Sequence, residues 1–161
     1  MADETTLGNH QIHENFKAIN AKDTSLNWFI FVHSGHGWEA DGHGNGGLVE
    51  VRNHLRNDAI QYVVIRVEAV DVEYGVHTAR PKVVLVTWIG PDVSGIKRRT
   101  VLGQKEEVRS ALKGVGVHFE FDDIESFSIS RLGEILSASQ GAHKPTYYKF
   151  GDATWDLPAH A

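Results

Sequence analysis

"KVVLVTWIGPDVSGIKRRTVLGQKEEVRSAL", Lys82 to Leu112, changes its hydrophobic period partway along. Up to Ile89 it is nearly continuously apolar and β-branched, the pattern of a strand covered on both faces. Gly90, Pro91 and Gly95 break that run. Beyond them Val101, Val108, Ala111, Leu112 and Val115 fall within about a 100° arc of a helical wheel, so one face packs. A buried strand feeding a long one-sided helix calls for a sheet with helices on either side.

The neighbouring segments extend this pattern. "LNWFIFVH" (Leu26–His33) and "AIQYVVIRVEAVDVE" (Ala59–Glu73) are rich in β-branched and aromatic residues between turn formers and read as strands, and Pro81 marks the entrance of the strand that Lys82 begins. "VHFEF" at Val117 alternates as a further strand. Ile12, Phe16 and Ile19 predict a first helix ending near the Lys22-Asp23 turn, "LVEVRNHLRN" (Leu48–Asn57) a short helix between the first two long strands, and Ile129, Leu132, Ile135 and Leu136 a closing one. The fold class is α+β, one domain over 7–142. The tail, 143–161, has no clear period and is expected to lie partly along the domain surface, its last residues frayed.

At 161 residues and 41% hydrophobic the chain suits one core and is short for two. It contains no cysteine, which excludes disulfides, thiolate metal sites and cysteine nucleophiles. The first residues lack the apolar core of a signal peptide, and no window approaches the ~18 apolar residues of a membrane span. A soluble cytoplasmic protein is expected.

The stretch "GHGWEADGHGNGGLVEV" (Gly35–Val51) holds histidines, acids and the spacing Gly42, Gly44, Gly47 of a dinucleotide loop. The strand before it ends well short of Gly42, however, and there is no room for a second nucleotide-binding half. His33, His36, Asp41 and His43 are the available metal ligands, yet no motif fixes two of them together. The stretch reads as a glycine-rich hairpin or loop with Trp38 on the core and solvated histidines. Ser94 lies in no nucleophile motif, and no phosphate loop or carboxylate pair stands out. No catalytic residue, metal or cofactor is expected.

Charge is distributed unevenly. Arg80, Lys82, Lys97, Arg98, Arg99, Lys105, Arg109 and Lys113 face only Asp92, Glu106 and Glu107 within Arg80–Lys113, whereas the rest of the chain holds eight basic and eighteen acidic residues. Two readings fit: a surface for an acidic partner, or a helix and its leading loop with solvated charges. Under the second, Lys105, Arg109 and Lys113 pair with Glu106 and Glu107. Nucleic acid is disfavoured, since Trp88 is the segment's lone aromatic residue and the net charge is −5.

The run W-I-G-x-x-V-S-G, Trp88 to Gly95, on a strand end followed by a basic helix, resembles the coactosin branch of the actin-depolymerising-factor homology (cofilin-like) family. The resemblance spans roughly Leu7 to Ala142. It implies a central mixed sheet of about five strands sandwiched between helices, and a non-catalytic monomer of the cytoplasmic cytoskeleton that binds actin, filaments preferred. It implies docking through the long helix and nearby basic residues, with Lys82 at the position of a filament-binding lysine and Arg80 before it. A second basic position of the family falls at "SASQG", where Ser137 and Ala138 replace lysines and Lys144 is the nearest substitute. The alternatives are a monomer-binding depolymerising or severing factor and a basic-patch adaptor for another acidic protein.

Overall fold

The spine of the molecule is a hairpin of two fourteen-residue strands, β3 (Ile60–Glu73) and β4 (Val76–Ile89), paired along their whole length from Ile60↔Ile89 to Glu73↔Val76. The computed structural model describes residues 4–21, 25–115, 117–139 and 144–158. The two-residue turn Tyr74-Gly75 has positive φ at both positions (52° and 78°), as a type I′ hairpin loop requires. β1 (Trp28–His33) pairs antiparallel with β3 and with β2 (Trp38–Gly44), and β5 (Val117–Phe121) pairs parallel with β4. The order β2-β1-β3-β4-β5 is the mixed sheet expected.

Helices cover both faces. Odd positions of β3 and even positions of β4 send Val63, Ile65, Val84, Val86 and Trp88 into a core closed by α2 (Gly47–Asn53) and α4 (Ile129–Ser139). The opposite parity sends Tyr62, Val64 and Leu85 into a second core closed by α1 (His10–Asn20) and α3 (Gly95–Ala111). The Lys22-Asp23 turn expected after α1 lies outside the described residues.

The W-I-G-x-x-V-S-G run owes its composition to this packing. Trp88 is buried and its indole N–H donates to the Arg56 carbonyl at 2.9 Å. A Cβ on Gly90 would stand 2.1 Å from the Asn57 carbonyl oxygen, so no side chain fits there. Val93 is buried, and Ser94 caps α3 by accepting from the Lys97 N–H. The motif turns a buried strand into a long helix.

Three expectations need correction. β4 begins at Val76, not at Lys82, and Pro81 sits inside it opposite Glu68. Pro81 is tolerated because β5 pairs β4 only from Val84 onward, which leaves an outer edge where no N–H is needed. Lys113 lies beyond α3, which ends at Ala111. The tail segment without a period contains β6 (Tyr147–Phe150) and β7 (Ala153–Asp156), a hairpin that joins the sheet through β3. Residues 159–161, expected to fray, lie outside the described residues.

Candidate functional site

The glycine-histidine stretch is built for packing. Glu50, in the first turn of α2, accepts the Trp28 indole N–H at 2.9 Å, so a carboxylate already stands where a phosphate would sit. A Cβ on Gly44 would meet that carboxylate at 1.7 Å, and one on Gly47 would meet the Phe150 carbonyl oxygen at 2.4 Å. Trp38 is buried in β2, while His33, His36 and His43 are exposed, as the hairpin reading requires. Among the described residues no cluster of three or more histidine, aspartate or glutamate side chains is placed to hold a metal ion.

The basic strip of the sequence is two surfaces in space. By strand alternation Arg80 and Lys82 continue the row of Val84 and Val86, which faces the α2/α4 side of the sheet, whereas α3 covers the other side. Arg80 pairs with Asp71 at 3.2 Å. Lys82 is half-buried at the outer edge of β4. On this same side Lys144 donates to the Ser137 carbonyl at the end of α4, so the substitute lysine does reach the helix end.

On α3 the cations divide by role. Arg98 turns inward and donates to the carbonyls of Val93 (3.2 Å) and Gly90 (3.3 Å), holding the turn that starts the helix. Lys105 pairs with Glu120 of β5, in place of Glu106 or Glu107. Glu107 accepts the Trp38 indole N–H at 3.1 Å instead. Lys97, Arg99 and Lys113 are exposed, and among the described residues no ion pair engages them.

Arg109 donates to His118 Nδ1 at 2.9 Å, and His118 Nε2 lies 2.8 Å from Thr87 Oγ1. A guanidinium can only donate, so Nδ1 is the acceptor and the ring proton sits on Nε2. Burial first, then the positive charges of Arg109 and Lys105, push the His118 pKa down to about 4 against the opposing pull of Glu120. The unfolded chain therefore binds more protons than the folded one between pH ~6.5 and ~4. Stability from this group is complete above that window and is lost as pH falls through it. The melting temperature of the parent should drop relative to His118→Gln as pH goes from 7 to 4; a constant difference would refute the assignment.

Two residues absent from the charge reading complete the surface of α3. Ile96 and Leu102 are 76% and 75% exposed, flanking Arg99 on the outward face. A Cβ on Gly103, beside them, would meet nothing within 4 Å. A mid-helix glycine with open space around it costs about 1 kcal/mol relative to alanine and is not required by the fold. The sequence signal for this patch was available: Ile96 and Leu102 are apolar residues that fall off the buried Val101–Val108 stripe.

Apolar side chains left exposed beside cations on one helix face have the composition of a docking surface. The sequence profile of the cofilin/tropomyosin-type actin-binding proteins matches residues 5–137. Coactosin of Dictyostelium discoideum is 24% identical over 129 residues, 79% of this chain and 86% of that protein. The crystal structure of human coactosin-like protein superposes with a TM-score of 0.73 at 18% identity, covering 84% of this chain and 100% of the other. Mouse coactosin, described as an actin filament binding protein, gives a TM-score of 0.68 at 20% identity over 86% of this chain and 94% of its own. With the profile spanning most of the residues and the same fold beneath it, the chain belongs to the cofilin/tropomyosin-type actin-binding family and is a non-enzymatic, cytoskeletal actin-binding protein.

Proposed function

We propose that the protein is a monomeric cytoplasmic binder of actin filaments, engaging them in preference to actin monomers. The observation that carries this is the division of the basic residues between two sides of one sheet. The outward face of α3, with Ile96, Leu102, Lys97 and Arg99, is one contact, and the β4 edge with Arg80 and Lys82 is another. Two contacts on different sides suit a partner that offers repeated subunits, one to each. A monomer-binding factor needs one face only.

Sedimentation with actin filaments across a salt series tests the reading. The protein should pellet with filaments, leave soluble actin nearly unchanged, and bind more weakly as salt screens exposed charges beyond ~8 Å. Failure to pellet at low salt would sink the proposal, and a dose-dependent rise in soluble actin would favour a depolymerising factor. Lys82→Ala should leave folding stability within about 0.5 kcal/mol of the parent. The same variant should weaken filament binding by about 1–2 kcal/mol, as truncation of an interface anchor does. If it binds like the parent, the contact belongs to α3 alone.

A further inference from the structure

The outer part of the β3–β4 hairpin, which carries Tyr74, Arg80 and Lys82, has few strand partners, although Val67 and Ala69 at its base are buried in the core. β1 pairs with β3 only over Tyr62–Ile65, and β5 pairs with β4 only from Val84 to Trp88. Past Arg66 on one strand and before Val83 on the other, the hairpin would be a two-stranded ribbon. Such ribbons are marginally stable in water. What extends the sheet there is the β6–β7 hairpin, which lies beyond the residues matched by the family profile.

We infer that β6–β7 is a buttress that fixes the direction of this basic arm, so that Arg80 and Lys82 meet a partner surface already ordered. The inference rests on the two-contact reading above. β6 pairs with β3 from Glu68↔Lys149 to Val70↔Tyr147, directly behind Arg80 and Lys82, which pair with Ala69 and Val67 on the other edge of β3. Thr146 accepts the Val72 N–H through its hydroxyl at 3.0 Å and donates its own N–H to the Val70 carbonyl at 2.8 Å. Tyr147 reaches across β3 to β4, its hydroxyl 3.4 Å from His77 Nδ1, so both strands of the arm are held.

The buttress is itself anchored to the body. Tyr148 and Phe150 are buried in the α2/α4 core. Tyr148 stacks on Trp155 of β7 with ring centroids 6.3 Å apart at 17°. Trp155 lies against Gly133 of α4, where a Cβ would come within 2.3 Å of the indole. The path α4, Trp155, Tyr148, Ala69 thus ties the arm to the helix whose last turn accepts from Lys144. An ordered arm avoids the entropy of immobilisation on binding.

Amide hydrogen exchange on the free protein tests the buttress without any partner, and filament sedimentation tests its use. In Trp155→Ala, and in the conservative double variant Thr146→Val, Tyr147→Phe chosen to preserve folding, amides of residues 68–72, 77–80 and 82 should exchange about tenfold faster or more while those of α3 keep the parent's rates. Filament binding should fall about threefold or more although every basic residue is retained. Unchanged arm exchange in both variants overturns the inference. So does faster exchange with filament binding equal to that of a binding parent. Should the parent itself not pellet, the actin-filament reading fails, and the exchange rates alone decide whether the arm is buttressed.

Discussion

Replacing Ile96 and Leu102 together by aspartate should reduce filament binding by about 100-fold or more while leaving the melting temperature near that of the parent. Both side chains are largely exposed, so the fold loses almost no buried apolar area. Surface changes of this kind ordinarily stay within about 0.5 kcal/mol per site. At a docked interface each apolar anchor is worth about 1–2 kcal/mol or more, and a carboxylate placed against an acidic partner adds repulsion. Pelleting measured at fixed salt separates the outcomes. Parent-like affinity would show that the exposed face of α3 is not a contact, leaving Lys82 and its edge as the sole candidate.

Trp88→Ala should be the most damaging single change to stability, costing about 3–5 kcal/mol as large aromatic truncations in cores do. The loss combines a cavity beside Phe127 with removal of the donor to the Arg56 carbonyl. For a chain of this length about 2–4 °C is lost per kcal/mol, so melting should fall by roughly 10 °C. A scan against Lys82→Ala gives the contrast: one variant melts early, the other melts normally and binds poorly. Near-parent melting of Trp88→Ala would mean that the W-I-G turn is not the structural joint described.

These two sites differ in how far the sequence disclosed them. Trp88 to Gly95 was legible because strand, glycine break and helical stripe all agree locally. β6 was not, because a four-residue strand has room for only two inward residues, Tyr148 and Phe150, and its pairing with β3 is a long-range event. The first half of β4, "VHTARPK", is exposed and polar, and only its register against β3 makes it a strand. The charge surplus between Arg80 and Lys113 was visible as composition, but adjacency in sequence hid two geometries. Strand alternation sends Lys82 to the side opposite α3, and Arg98 spends its guanidinium on backbone carbonyls. Ile96 and Leu102 are uncharged and lie off the buried stripe, so neither the charge surplus nor the helical period marks them.

The long β3–β4 hairpin also bears on the order in which the chain folds. Its strands are joined by two residues, so closing it costs less chain entropy than bringing β1, β5 or β6 to the same sheet across longer segments. We expect the hairpin to form early in folding, with closure of its Tyr74-Gly75 turn as a slow step. A non-glycine residue at φ 52° is disfavoured in the unfolded chain and must be forced into place as the turn closes. Exchanging Tyr74 for asparagine, which tolerates that conformation, should therefore accelerate folding more than it slows unfolding, tying the kinetics of a 161-residue chain to one exposed turn.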